Sequence, residues 1–108
     1  MTDLEIERLC AQAMGYDFVA SEKHVRTRAT GSLLPYDRYY DPLHDDAQAM
    51  ALVKKFQLSV YWIADSEGGW SAAWDFGPHV YADNSDINRA ICECVAKMQL
   101  AKGAPERP

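Results

Sequence analysis

The strongest constraint in this sequence lies near its C-terminal end. Ile87, Ala90, Ile91, Cys94, Val95, Met98 and Ala101 recur with a 3.6-residue period. Such a stripe predicts a helix with one apolar side, which is stable only against a second layer. Ser85 or Asn84 is placed to cap its start, and Gly103 to end it. Residues 104 to 108 are expected to fray, leaving residues 1 to 103 as a single domain.

The layer that receives this helix is predicted just upstream. LSVYWIADSEGGWSAAWDFG reads as two β runs around Ser66, Glu67, Gly68 and Gly69. A turn centred on Glu67 pairs Ala64 with Trp70, Trp62 with Ala72, Val60 with Trp74 and Leu58 with Phe76. Those eight residues then share one apolar face, because side chains alternate along a strand. The opposite face carries Ser59, Tyr61, Ile63, Ser71, Ala73 and Asp75 and is mixed. After Gly77 and Pro78, Val80, Tyr81 and Ala82 suggest a short edge strand.

Local signals also fix two earlier helices. Thr2 with Glu5 has the form of a capping box, and Ile6, Leu9, Cys10 and Ala13 share one side. Gly15 suits a left-handed stop, so the first helix is expected over about residues 3 to 14. Asp45 or Asp41 can cap a second helix over residues 45 to 56, with Ala49, Leu52, Val53 and Phe56 on one side. Lys54 and Lys55 suit its negative C-terminal end. Between them, residues 16 to 42 show no clear period, although 17 to 20 suggest a short strand and a hairpin can be hidden there. The expected fold class is α+β: three helices packed on a small antiparallel sheet centred on the Trp-rich hairpin.

Composition narrows the function classes. A net charge of −5 argues against nucleic-acid binding, which normally needs a basic excess. No apolar run approaches the roughly 20 residues of a membrane span. The start, MTDLEIERLC, lacks the basic and apolar regions of a signal peptide, so a cytosolic location with Cys10, Cys92 and Cys94 reduced is expected.

Few residues suggest chemistry. His24, His44 and His79 show no metal-ligand spacing. Cys92 and Cys94 lie about 200° apart on a helix and cannot pinch one metal. No nucleotide-binding glycine motif, no Ser-His-Asp arrangement and no paired catalytic carboxylates can be recognised, and no cofactor is expected. If residues 23 to 28 form a strand, His24, Arg26 and Arg28 share a face. That row suits a phosphate or carboxylate, and it equally suits a solvated edge, the favoured reading. The stretch LPYDRYYDP concentrates Tyr36, Arg38, Tyr39 and Tyr40. Tyrosine and arginine are enriched at protein interfaces, so these four are the candidate partner-binding residues, with one tyrosine expected to staple the following helix.

Several segments also resemble a known family. Ala11-Gln12-Ala13-Met14-Gly15-Tyr16 is similar to an A-x-x-M-G-[WY]-like segment. Tyr40-Asp41-Pro42 leads into an acidic-capped helix with Val53-Lys54-Lys55, and Ala90-Ile91-Cys92 resembles an A-I-C-x-A-like core. This order resembles the phage ABA sandwich domain proteins, small proteins of bacteriophages and prophages. The resemblance spans most of the chain, and its motifs specify packing. It implies an α/β/α sandwich-like fold and a phage origin. Together with the lack of a catalytic constellation and the Tyr36 to Tyr40 stretch, the expected function is a non-catalytic accessory protein that binds a host or phage protein in the host bacterial cytoplasm, for example an anti-CRISPR-like inhibitor of host defence. A binder of a phosphorylated ligand or nucleotide, and a virion structural protein, are the alternatives. The mixed sheet face and Cys92 leave room for a homodimer.

Overall fold

A computed structural model of the chain describes residues 1–19, 24–27, 40–64, 68–76 and 79–103, with 17–19, 24–27, 102 and 103 as backbone only. The first helix, α1 (Asp3–Ala13), opens on the expected capping box. Glu5 N–H donates to Thr2 Oγ1 (3.1 Å), and Thr2 N–H donates back to Glu5 Oε1 (2.9 Å). Gly15 follows with φ +82°, which glycine adopts without a side-chain penalty. The chain then forms β1 (Tyr16–Val19) and β2 (His24–Thr27), an antiparallel pair in which Asp17 faces Arg26 and Val19 faces His24. This hairpin occupies the stretch that lacks a legible period.

The second helix, α2 (Asp46–Phe56), is capped by Asp45, whose Oδ1 accepts from Gln48 N–H (2.9 Å). Gln57 ends it in a left-handed turn (φ 55°), unusual for a residue with a side chain. From there the chain runs into β3 (Ser59–Trp62), β4 (Trp70–Trp74) and β5 (Val80–Asn84), a meander in the order β3-β4-β5. The last helix, α3 (Ile87–Gly103), is capped by the Asp86 side chain rather than by Ser85 or Asn84. The Asp86 Oδ2 atom accepts from Arg89 N–H (3.2 Å), while Asn84 Oδ1 holds Asp86 N–H (2.9 Å).

The hairpin register differs from the expected one by two residues. Trp62 pairs with Trp70 and Val60 with Ala72, and Ile63 N–H reaches Gly69 O (2.8 Å). The pairing is thus Trp62 with Trp70 where Ala64 with Trp70 was expected, and the residues between 64 and 68 lie outside the described ones. A two-residue offset preserves strand parity, so the composition of each face is unchanged. Trp62 stands edge-on to Trp70 at 5.2 Å and lies over Gly68. A methyl group at Gly68 (φ +71°) would sit 2.9 Å from the Trp62 ring. Gly68→Ala is therefore expected to destabilise the fold by about 1–2 kcal/mol through the left-handed backbone alone, with more from the clash. Urea titration followed by tryptophan fluorescence measures it.

The core lies on one side of the sheet. Leu58, Ala72 and Ala82 are buried there, with Val60, Trp70, Trp74 and Val80 packed around them. Helix α3 covers this face, and α1 and α2 dock mainly onto α3 rather than onto the sheet. The α+β class is as read from the sequence. Among the described residues, α3 is the helix packed closely on the three-stranded sheet, and α1 and α2 dock onto α3. Because α3 sits between layers, it is buried on two sides. Cys94 faces the sheet, its Sγ 3.7 Å from Val80 O, while Cys92 faces α1, where Cys10 Sγ lies 3.5 Å from Cys92 O. Arg89 ties α3 to the start of α1 through Asp3 (2.8 Å) and bonds Glu93 on its own helix (2.8 Å).

Candidate interaction surface

The face of the sheet turned away from α3 is built by strand alternation. Ser59 and Tyr61 on β3, Ser71 and Ala73 on β4, and Tyr81 and Asp83 on β5 all point to it. The central strand supplies only small residues there, Ser71 and Ala73, and both are buried. Tyr61 and Tyr81 flank them from either side and remain 54% and 53% exposed. His79 packs its ring against Tyr81 (5.6 Å) and its Nδ1 lies 2.8 Å from Asp75 Oδ1. Phe76, just past β4, is 69% exposed. The rim therefore carries Asp75 and Asp83 beside an aromatic centre.

Two sequence expectations about the hairpin are corrected here. Trp62 and Phe76 were expected on the core face, yet Trp62 is 54% exposed and Phe76 more so. Trp62 stands on an edge strand at the turn end, and Phe76 lies beyond the last residue of β4, so neither is covered by α3. Conversely, Tyr61 was legible. A strand face otherwise made of serine, alanine and aspartate is the wetter face, and a tyrosine on it is left at the surface. Tyr81 belongs to the same face only once β5 pairs with β4, which no local signal specifies.

The other predicted residues fall in different places. Tyr40, proposed for partner binding, is instead in the core at 4% exposure, edge-on to Tyr16 at 5.8 Å. Glu7, Cys10 and Cys92 surround it, and burial holds its hydroxyl protonated far above the ordinary tyrosine range. Tyr40 is thus the structural staple among the tyrosines. Tyr36, Arg38, Tyr39 and Arg28 lie outside the described residues. His24 and Arg26 stand two apart on β2, as the anion-binding reading requires of the backbone.

The described residues offer little for covalent chemistry. The Cys92 thiol is pushed up by its hydrogen bond with Cys10 and by burial, and burial raises that of Cys94 to about 11. Thiols held protonated are poor nucleophiles. His44 sits 3.1 Å from Asp41 and His79 beside Asp75, in two separate exposed pairs. Among the described residues, no three His, Cys, Asp or Glu side chains are placed to hold a metal ion. Nor is any described helix long and apolar enough to cross a membrane.

No protein-family model, characterised protein or solved structure matches this chain. The likeness to the phage ABA sandwich proteins therefore rests on its short motifs.

Proposed function

We propose that this chain is a non-catalytic binding protein that docks a protein partner on the open face of its sheet. The observation that carries this reading is the pair of exposed tyrosines, Tyr61 and Tyr81, on either side of a floor of small residues. Scattered exposed apolar residues need no explanation, whereas aromatics gathered on one uncovered face mark an interaction site. Asp75 and Asp83 at its rim, on a chain of net charge −5, favour a partner with an apolar patch edged by lysine or arginine. Under the motif resemblance, the partner is a host or phage protein met in the host bacterial cytoplasm. Inhibition of a host defence complex is one form this takes, and Tyr36, Arg38 and Tyr39 extend the same role.

Affinity capture from bacterial lysate with the tagged protein, followed by titration of the captured partner, tests the reading. A Tyr61→Ala, Tyr81→Ala double variant is expected to keep its fold and to bind at least about 30-fold more weakly, since an anchoring aromatic carries about 2 kcal/mol or more. A companion Tyr36→Ala, Tyr39→Ala variant reports on the other tyrosines. Equal binding by a folded Tyr61→Ala, Tyr81→Ala variant removes this sheet face from the site.

A further inference from the structure

The two edges of the three-stranded sheet are treated differently. In an antiparallel ladder, residues alternate between bonding the neighbouring strand and pointing their N–H and C=O away from it. The Ile63–Gly69 bond makes residues 59, 61 and 63 of the first strand the inward-bonded set. The N–H and C=O groups of Val60 and Trp62 therefore point out of the sheet at the β3 edge. Across β4 the same alternation points the Tyr81 carbonyl out of the β5 edge, and there Lys97 Nζ donates to it at 3.1 Å. Edge strands are commonly guarded by such a lysine, by charges, by proline or by a covering element. Strand β3, Ser-Val-Tyr-Trp, has no charge and no proline, and among the described residues nothing hydrogen-bonds to its outer edge.

We propose that a second copy of this chain pairs with β3 in antiparallel register centred on Tyr61, forming a two-fold dimer with a continuous six-stranded sheet. This stands independently of the partner-binding reading.

Register follows from which groups are free. Centred on Tyr61, Val60 pairs with Trp62 of the other copy and Trp62 with its Val60. All four exchanged hydrogen bonds then use outward-pointing groups. Centring on Val60 instead would set Trp62 against Leu58, whose N–H is already given to Val53 O (3.1 Å). The chosen register also makes a valine–tryptophan pair on one face and a tyrosine–tyrosine pair on the other, both favourable cross-strand combinations.

Charge selects a second copy as the occupant. Lys54 and Lys55 are exposed in the last turn of α2, immediately before β3. The opposite end of β3 is acidic. Trp62 is level with Trp70 and Asn84, which leads into Asp86 and α3. Asp46, at the start of α2, accepts from Asn88 Nδ2 (2.8 Å) at that same end. Antiparallel pairing thus sets the lysine end of each copy beside the aspartate end of the other.

Area sets the strength. Tyr61 and Trp62 are each about half exposed, so each offers roughly 100 Å². With the strand backbone this falls short of the ~800 Å² per partner of a standard interface, which makes the dimer weak and concentration-dependent. In it, both open faces look the same way and present one extended aromatic surface.

Sedimentation equilibrium over a dilution series from millimolar to micromolar protein tests the proposal, with amide hydrogen exchange at both ends of the series. The mass is expected to rise from monomer toward dimer, and the Val60 and Trp62 amides to slow with concentration while those of Tyr61 and Ile63 do not. Tyr61→Lys puts two like charges on the two-fold axis and is expected to stay monomeric. Val60→Pro removes an outward N–H, so it is expected to keep the fold by circular dichroism and to abolish dimerisation. A wild-type chain that stays monomeric at millimolar concentration overturns the proposal and leaves the edge to a foreign strand. So does a folded Tyr61→Lys variant that dimerises as the wild type does.

Discussion

Replacing Tyr40 by alanine is expected to destabilise the protein by about 3–5 kcal/mol, the range for deleting a buried aromatic ring. Tyr40 precedes α2, and its ring fills the space between Tyr16 and the cysteines of α1 and α3. Truncation removes apolar contact with three elements at once and leaves a cavity that rigid helices close poorly. Tyr81→Ala is the internal control, because a side chain exposed by half, whose ring meets the exposed His79 and Lys97, shifts stability by only about 0.5 kcal/mol. Urea denaturation of the two variants side by side measures the difference. A Tyr40→Ala loss below about 1 kcal/mol would show that the ring is not part of the core.

Raising the pH above 9 is expected to weaken the fold steeply. Burial holds Cys94 protonated up to about 11 against an ordinary value of 9.0. Cys92 and Tyr40 are shifted in the same direction, the former by its bond with Cys10 and by burial, the latter by burial first. In the unfolded chain these groups release their protons at ordinary pH values, so above pH 9 the unfolded state binds fewer protons than the folded one. Stability from these groups is then fully present below pH 9 and is lost as pH rises. Each group removes about 1.4 kcal/mol per pH unit while it is ionised only in the unfolded state. For Cys94 that loss runs from pH 9 to about 11 and totals about 3 kcal/mol. Thermal melts across this window in the presence of a reductant measure it, and Cys94→Ala is expected to flatten the slope. A melting temperature unchanged up to pH 11 would contradict the burial of these groups.

How much of this was legible in the sequence depends on the range of the interaction involved. The capping box at Thr2 and Glu5, the Asp45 cap and the left-handed Gly15 are contacts within four residues, and all three stand where local chemistry places them. The stripe of α3 and the two-fold alternation of β3 and β4 likewise carry their own period, so element type and face composition could be read directly. Register could not, because a shift of two residues leaves every side chain on its original face. The β1–β2 pair was legible only as a short run at 17 to 20 and a conditional strand at 23 to 28, because no glycine or asparagine turn signal lies between the two to mark them as a hairpin.

The candidate surface was half legible. Alternation alone leaves Tyr61 on the wetter face. Whether that face stays bare depends on where the helices go, and only packing decides that. Helix α3 takes the apolar face and is then buried on its second side by α1 and α2. Cys92, Ala96 and Asn88 are enclosed although they lie off the sequence stripe. The aromatics of residues 36 to 40 were read two ways: composition marks them as interface-like, while the place of Tyr40 just before α2 marks it as a staple, and packing puts Tyr40 in the core. The sequence by itself determined the three helices, the Trp-rich strands and which of their residues share a side, because those depend on backbone periodicity and caps within one turn. The tertiary structure alone decided which sides are covered, which edge of the sheet is guarded and which is bare, because coverage is set by contacts between residues far apart in the chain.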